Sequence, residues 1–266
     1  YRTTGYIDAR LAGLDHDADD FGAHVMAAAE EYAIESSILK VMGSEYAGAV
    51  IDEAVQIHGG YGYMEEYAVA RAWRDQRINR IFEGTNEINR MLVPGMLLKR
   101  MAKGLPLPEW FGRIQEELRQ GTPVAGGPLA DEMRAAESIK RLAGYATMVA
   151  VNAFGPAIEA RQEVLAALAD AMGEAYAVDS IVARTLRWGA EEAARVATVR
   201  LYAHDAWLRA LQAARKVIAA AAQGDELATH LAALDKLYAW VPCDPAALRE
   251  AIVADVLAAG GYPWRF

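Results

Sequence analysis

The residues of this sequence that could do chemistry most directly are one carboxylate and its two neighbours. Glu83 stands between Phe82 and Gly84, immediately before a stretch typical of a helix start. A carboxylate between an aromatic residue and a glycine can be pressed against a ligand and lose its hydration. That raises its pKa toward the value of a useful general base. On local chemistry alone, an ordinary charge at the N-terminus of a helix is the commoner explanation.

The helix predicted after Glu83 could also bind polar groups. Thr85 is of a residue type that caps helices, and helical spacing continues from it to about Ala102. Gly84 would let a planar group pass close to the backbone, and the free N–H groups of the helix start could bind an oxygen or a phosphate. Pro94 lies inside this helix and is expected to kink it, because proline removes a backbone donor and clashes with the preceding turn.

A second candidate segment is a helix end that runs into glycines and aromatic residues. It consists of Gln56, Ile57, His58, Gly59, Gly60, Tyr61, Gly62 and Tyr63. Glycine there permits a positive φ and the close approach of a ligand. The alternative is a helix that simply ends in a glycine cap with an aromatic staple. Further along, a short helix carries a charge pattern that usually forms a solvated face, made up of Arg71, Arg74, Asp75 and Arg77.

The elements that must position these groups are helices. Alanine is abundant and the alternating pattern of β-strands is nearly absent, which favours helix almost everywhere. Apolar residues at helical spacing predict a helix from Ile34 to Ile57, ending at Gly59. Asp244 and Pro245 have the residue types of an N-cap and a first helical position. Further helices are predicted at about residues 67–78, 85–102, 129–153, 157–185, 188–222, 226–239 and 245–259.

Glycine and proline divide the predicted helices into two groups. Residues 104–108 and 121–128 are rich in both types, and each proline disfavours helix at the residue before it. The predicted organisation is therefore an all-α chain with one helical domain over 1–103, a linker over 104–128 and a second helical bundle over 129–266. The first residue is Tyr1 rather than Met, which suggests a piece of a longer protein.

Composition and charge exclude several classes of function. The formal net charge of −9 and a pI near 5.1 argue against a nucleic-acid partner, which needs a clustered basic surface. The single cysteine, Cys243, excludes a disulfide framework within the chain and a cysteine-cluster metal site, so no metal is assigned. No apolar run approaches the roughly 20 residues of a membrane-spanning helix. We therefore expect a soluble, intracellular protein, cytoplasmic or, in a eukaryote, in the mitochondrial matrix.

Three linked motifs between residues 55 and 90 resemble the signature of the carboxyl-terminal α-domain of the acyl-CoA dehydrogenases in order, spacing and residue type. They comprise Gln56, Gly59, Gly60, Gly62 and Tyr63, then Arg74, Asp75, Arg77 and Ile78, and finally Ile81, Phe82, Glu83, Gly84, Thr85, Asn86, Glu87 and Ile88. The resemblance covers residues 1 to about 103. The region after the predicted linker resembles, by length and helicity, the extra helical domain of the long, very-long-chain-type members.

This resemblance implies a four-helix-bundle-like domain followed by a second bundle, and it implies residue roles. Glu83 would be the base that removes the α-proton of an acyl-CoA while the β-hydrogen leaves as hydride to N5 of FAD. Its backbone N–H, with a flavin ribityl hydroxyl, would polarise the thioester carbonyl. The residues implied at the substrate are Phe82 and Gly84. Those implied at FAD are Thr85, Asn86 and Glu87, and those implied at the FAD of a neighbouring subunit are Gln56, Ile57, His58, Gly59 and Gly60.

The resemblance also implies partners and a reaction. A contact with a neighbouring subunit's FAD requires a homo-oligomer, a dimer or larger. The intact protein would convert fatty acyl-CoA to trans-2-enoyl-CoA in β-oxidation and pass electrons to an electron-transfer flavoprotein. Family members place an amino-terminal helical domain and a middle β-domain before this region, so this chain alone is expected to be inactive. Two alternatives stay open: an acyl-CoA oxidase-like activity, and a non-catalytic helical module for oligomerisation or peripheral contact with a lipid surface.

Overall fold

The computed structural model describes residues 1–121, 126–189, 192–237 and 242–263. Within these ranges the regular elements are all helices and there is no β-strand, so the all-α prediction is confirmed. No helix in this part of the chain combines the length and the apolar character that a membrane span requires. The chain divides into two compact units, Tyr1–Arg100 and Met101–Phe266, and each is described by itself.

The first unit contains the residues predicted to act in catalysis or to bind ligands. Its helices are α1 (Arg2–Leu11), α2 (Phe21–Glu31), α3 (Ala33–His58), α4 (Ala68–Arg77) and α5 (Asn86–Ala102), with 3₁₀ segments at Gly59–Tyr63 and Ile78–Arg80. The helices predicted over 34–57, 67–78 and 85–102 correspond to α3, α4 and α5.

The two helices at the start of the chain, α1 and α2, were not predicted. Thr3 and Gly5 are poor helix formers, which weakens the helical signal of α1. Tertiary contact supplies what propensity lacks, because the ring of Tyr6 stacks on that of Tyr32 with 5.7 Å between their centroids.

Helix α3 supports the elements that lead to Glu83. Helix α4 and the Ile78–Arg80 turn both pack against it. At Gly48, a Cβ atom would collide with the guanidinium of Arg80 and would lie 3.2 Å from Oε1 of Gln76. The missing side chain therefore lets the turn that leads to Glu83 approach α3 closely.

Helix α5 extends the site into the interior of the first unit. Pro94, expected to kink this helix, is buried inside it, and the helix continues on both sides. Its neighbour Val93 is only 1% exposed. This turn of α5 therefore anchors the helix whose first residues follow the candidate catalytic loop.

The second unit is a larger helical bundle. Its helices are α6 (Leu107–Gln120), α7 (Ala130–Phe154), α8 (Gln162–Trp188), α9 (Ala193–Ala221), α10 (Gly224–Leu237) and α11 (Pro245–Ala259), with a 3₁₀ segment at Gly155–Ala160. The core lies where α7, α8 and α9 pack together, around the fully buried Ile139, Leu168 and Ile218. Asp244 caps α11 as predicted, because its Oδ1 accepts the N–H groups of Ala246 at 3.0 Å and Ala247 at 3.2 Å.

Three ion pairs each join a different two of the central helices in this unit. They are Glu132 with Arg200 from α7 to α9 at 2.7 Å, Glu174 with Arg209 from α8 to α9 at 3.0 Å, and Lys140 with Asp179 from α7 to α8 at 2.6 Å. Glu132 and Glu174 are buried. If one helix slid past another, a buried carboxylate would lose its partner, which is costly. The pairs therefore hold the helices in register.

Part of the segment predicted as a linker, residues 104–128, is a helix instead. Helix α6 packs on α7, with Ile114 only 1% exposed and the ring of Trp110 filling the space that a Cβ on Gly144 would need. The extended connector predicted at residues 104–108 is wrong for Leu107 and Pro108, which begin α6. Pro108 lies in the first turn of α6, where the N–H that proline lacks has no helical partner in any case. Residues 122–125 of the predicted linker lie outside the described residues.

Candidate active site

The loop that carries Glu83 has an unusual backbone. Glu83 has a φ of +54° and Gly84 a φ of +79°, so two consecutive residues are left-handed. The left-handed region costs a residue with a Cβ roughly 1–2 kcal/mol, and such conformations persist only where the surroundings hold them. Glycine at position 84 avoids that cost, whereas Glu83 bears it.

The side chains around this loop face outward. Glu83 and Gly84 are exposed, and the flanking apolar side chains of Ile81, Phe82 and Ile88 are 50%, 46% and 54% exposed. Exposed apolar side chains close to a carboxylate along the chain offer a surface that a largely apolar ligand can cover. Contact with such a ligand would remove water from the carboxylate.

The backbone of the loop is tied down at both ends. Before it, the N–H groups of Ile81 and Phe82 donate to the carbonyl of Ile78 at 2.8 and 3.1 Å. After it, the predicted N-cap is confirmed, since Oγ1 of Thr85 accepts the N–H of Ile88 at 3.3 Å.

The carboxylate of Glu87, in the first turn of α5, is fully exposed. Its pKa is lowered by hydrogen bonds from its own backbone N–H and from the Thr85 hydroxyl. The start of α5 therefore carries a negative charge in solution.

Sequence reasoning missed one residue of this arrangement, Asn89. It is 7% exposed, and its side-chain amide donates to the carbonyl oxygens of Gly84 at 2.8 Å and Thr85 at 3.2 Å. The only sequence signal is an asparagine inside the first turn of a helix, where that residue type often bonds to nearby backbone.

A second set of contacts attaches the start of α5 to α3. The Asn86 side chain, 2% exposed, accepts from Nζ of Lys40 at 2.7 Å and donates to Oγ of Ser44 at 2.9 Å and to Oε1 of Glu45 at 3.2 Å. Arg90 donates to both oxygens of Glu45, at 2.7 and 2.9 Å. The amide of Asn86, implied at FAD by the resemblance, is therefore already engaged within the chain.

The electrostatics of Glu45 follow from these contacts. Burial alone would raise its pKa, but the hydrogen bonds and charge of Arg90, with help from Asn86 and Arg80, hold the pKa below its ordinary value of 4.5. Glu45 is therefore an ionised tether between α3 and α5 and a poor candidate for a base.

The glycine-rich segment lies at the far end of α3. Gln56, Ile57, His58, Gly59 and Gly60 are all exposed. Gly59 ends α3 with a φ of +60°, so the predicted glycine cap is confirmed. This end of α3 is twelve residues from Ser44, or about 18 Å of helical rise. Residues 56–60 therefore lie well beyond the part of α3 that contacts the start of α5.

The charged residues of α4 form the solvated face that was predicted. Arg71, Arg74, Asp75 and Arg77 are all exposed. Arg74 forms its ion pair with Glu65, at 2.9 Å, which comes from the preceding loop rather than from α4 itself.

Comparison with known proteins agrees with this geometry. Two family models, both described as the acyl-CoA dehydrogenase C-terminal domain, match residues 10–97 and 138–236. A probable acyl-CoA dehydrogenase of Bacillus subtilis (strain 168) is 39% identical over 270 residues, which is 98% of this chain and 46% of the relative. The CarC subunit of the caffeyl-CoA reductase–Etf complex of Acetobacterium woodii is 48% identical over 66 residues, 25% of this chain and 17% of that protein.

A solved structure is similar over nearly the whole chain. The crystal structure of an acyl-CoA dehydrogenase complexed with FAD from Bacillus anthracis aligns with a TM-score of 0.91 and 36% identity, over 97% of this chain and 45% of that one. The chain thus spans about half the length of the two relatives that it matches along its whole length. Together with the two domain matches, these likenesses establish that the chain belongs to the acyl-CoA dehydrogenase family.

Proposed function

We propose that this chain carries the catalytic base of an FAD-dependent enzyme that oxidises a fatty acyl-CoA to a trans-2-enoyl-CoA in β-oxidation. The observation that carries the proposal is the Glu83 loop: an exposed carboxylate, flanked by exposed apolar side chains, on a backbone that is tied down at both ends. Phe82 and the bare backbone of Gly84 give an acyl chain a surface beside this carboxylate.

In this proposal Glu83 removes the proton from the α-carbon of the substrate. The electron pair of the broken Cα–H bond forms the Cα=Cβ double bond as the β-hydrogen departs with its own pair as hydride. FAD, when bound, supplies the acceptor for that hydride. The backbone N–H of Glu83 would donate to the thioester oxygen, where negative charge develops as the α-proton leaves.

The residues assigned to FAD suit a polar, uncharged part of that molecule. Because the Asn86 amide and the Thr85 hydroxyl are both engaged within the chain, the side chain that residues 85–87 offer FAD is the exposed carboxylate of Glu87, beside the backbone at the start of α5. The ionised Glu87 would repel a phosphate but would accept a hydrogen bond from a hydroxyl. A ribityl hydroxyl or a ring edge of the flavin therefore fits here better than the pyrophosphate.

Residues 56–60 are proposed to contact the FAD of a neighbouring subunit. Two observations support this: their exposure at the end of α3 and their separation of about 18 Å of helical rise from Ser44, where α3 contacts the start of α5. The left-handed Gly59 permits a close approach of backbone to ligand. In this proposal the active protein is a homo-oligomer, because each flavin site needs residues of two chains.

The proposed electron acceptor is an electron-transfer flavoprotein, in keeping with the Etf complex named for the Acetobacterium relative. The word reductase in the name of that relative supports a second candidate function, the reverse reaction. In that reaction protonated Glu83 would deliver a proton to the α-carbon of an enoyl-CoA. Assays with acyl-CoA and oxidised acceptor, and with enoyl-CoA and reduced acceptor, separate the two directions. Acceptance of electrons by oxygen instead would indicate the oxidase-like alternative.

The proposal is tested by Glu83→Gln in the intact, FAD-loaded protein. The amide cannot take a proton, so reduction of the flavin by acyl-CoA, followed by its absorbance at 450 nm, should slow by about 10²–10⁴-fold. Glu66→Gln is the matched control, since Glu66 is an exposed glutamate of the same unit outside the loop, and it should leave the rate unchanged. Flavin reduction by Glu83→Gln at the wild-type rate would refute the assignment.

A further inference from the structure

Asn89 is a buried polar residue whose side chain bonds to the backbone that follows Glu83. It lies in the first turn of α5 and is 7% exposed. Its side chain is directed back along the chain, with Nδ2 2.8 Å from the carbonyl oxygen of Gly84 and 3.2 Å from that of Thr85. Its own backbone N–H also donates to the Thr85 carbonyl, at 2.9 Å.

These bonds act on the part of the backbone that most needs support. Glu83 and Gly84 are both left-handed, and a strained conformation of this kind persists only where its surroundings over-determine it. The fit is close, because a Cβ on Gly84 would come within 3.0 Å of Nδ2 of Asn89. The absent side chain of Gly84 therefore leaves room for the Asn89 amide, and the hydrogen bond to the Gly84 carbonyl opposes movement of that peptide away from Asn89.

We infer that Asn89 is a positioning residue, which sets the direction of the Glu83 carboxylate by holding the carbonyls of the two residues after it. The inference rests on the proposed function of Glu83 and deepens it. Proton abstraction needs the carboxylate within a narrow range of distance and angle from the α-carbon. A displacement of 1 Å by a change away from the reacting atoms can cost about 10²-fold in rate.

A purely structural role for Asn89 makes a different prediction. If the residue only stabilised α5, any comparable loss of stability in that helix would affect catalysis equally. Val93 offers the comparison, because it lies one helical turn after Asn89 on the same face, is 1% exposed, and is outside the loop. Val93→Ala removes buried methyl groups and lowers stability without altering any bond to Gly84 or Thr85.

The experiment uses the intact, FAD-loaded protein with Asn89→Leu, Asn89→Gln, Val93→Ala and Glu83→Gln. Leucine keeps the approximate shape of asparagine and has no donor, so we expect kcat to fall about 10–100-fold while KM changes less than about threefold. Glutamine keeps the donor on a longer arm and should restore part of the lost rate. Val93→Ala should leave kcat near the wild-type value.

Hydrogen exchange gives a readout that does not depend on activity. The amides of residues 83–85 should exchange faster in Asn89→Leu than in Val93→Ala, even where the two variants have the same melting temperature. If Asn89→Leu does not fold, Asn89→Gln alone decides: a wild-type kcat together with faster exchange of the loop would overturn the inference.

The outcomes separate this inference from the proposed function. If Glu83→Gln is inactive and Asn89→Leu keeps its kcat within about twofold of wild type, only the positioning role falls. An equal loss of kcat in Val93→Ala would likewise reduce Asn89 to a structural residue. If Glu83→Gln reduces its flavin at the wild-type rate, the proposed base falls and the positioning role falls with it.

Discussion

The tether between Glu45 and Arg90 should be a measurable part of the stability of the first unit. Charge-assisted hydrogen bonds are worth about 1.5–3 kcal/mol each when shielded from water. The Arg90 side chain is 18% exposed but that of Glu45 is 38% exposed, so solvent screening reduces the gain. We expect a coupling free energy of about 1–2 kcal/mol from a double-mutant cycle of Glu45→Gln and Arg90→Met.

The assay is native-state hydrogen exchange of the α5 amides, which reports the free energy of opening this part of the structure. The pair Arg74 and Glu65 is the matched control, because its N–O distance is also short, 2.9 Å, but its side chains are 51% and 80% exposed. Its coupling should be at most about 0.5 kcal/mol. Equal coupling in the two pairs, within about 0.3 kcal/mol, would refute the reasoning from burial.

The same tether has a defined dependence on pH. Because the folded pKa of Glu45 lies below its ordinary value of 4.5, the contribution to stability is complete above that value and is lost as the pH falls through the folded pKa. The coupling should therefore be the same at pH 6 and pH 7 and should decline only below the ordinary value of 4.5. A coupling that fell between pH 7 and pH 6 would indicate that another group is responsible.

Two further predictions concern local structure. Gly43→Ala, in α3 with open space around it, should raise the free energy of unfolding by about 0.5–1 kcal/mol. Gly48→Ala should gain less, because its Cβ collides with the Arg80 guanidinium, which must shift to make room; a urea titration that gave Gly48→Ala an equal or larger gain would contradict the packing argument. Asp244→Ala should cost about 1 kcal/mol by removing the α11 cap and should speed exchange of the Ala246 and Ala247 amides. Glu250→Ala, at an exposed position on α11, is the control, and equal protection of the cap amides in both variants would exclude the cap.

The sequence was most informative where one local rule decided the outcome. Apolar spacing sufficed for α3, Thr85 and Asp244 were recognisable as caps from their residue types, and the three motifs around Glu83 led to the family. The same rules misjudged Leu107 and Pro108, because proline disfavours helix at most positions but is tolerated in the first turn, where Pro108 lies. Helix α1 was missed because its stability comes from contact with other elements rather than from its own residues.

The candidate site illustrates a second limit of sequence reasoning. A motif places Asn86 beside Glu83 along the chain, but the side chain of Asn86 is directed into the contact with Lys40 and Ser44. No sequence pattern marks Asn89, because its hydrogen bonds to the Gly84 and Thr85 carbonyls form only when the loop is folded. The direction of a side chain relative to a neighbouring helix depends on tertiary packing. A local sequence pattern therefore does not predict it.

The left-handed backbone at Glu83 has a consequence for anyone who engineers this chain. Asparagine and glycine tolerate this conformation far better than glutamate does, so a procedure that optimises the fold alone would be drawn to position 83. It would replace Glu83 by a residue that adopts a left-handed backbone at lower cost, and the protein would become more heat-resistant. That product would keep its helices and its tethers and would have lost the group on which the proposed chemistry depends. Thermostabilisation of this chain should therefore hold position 83 constant from the outset.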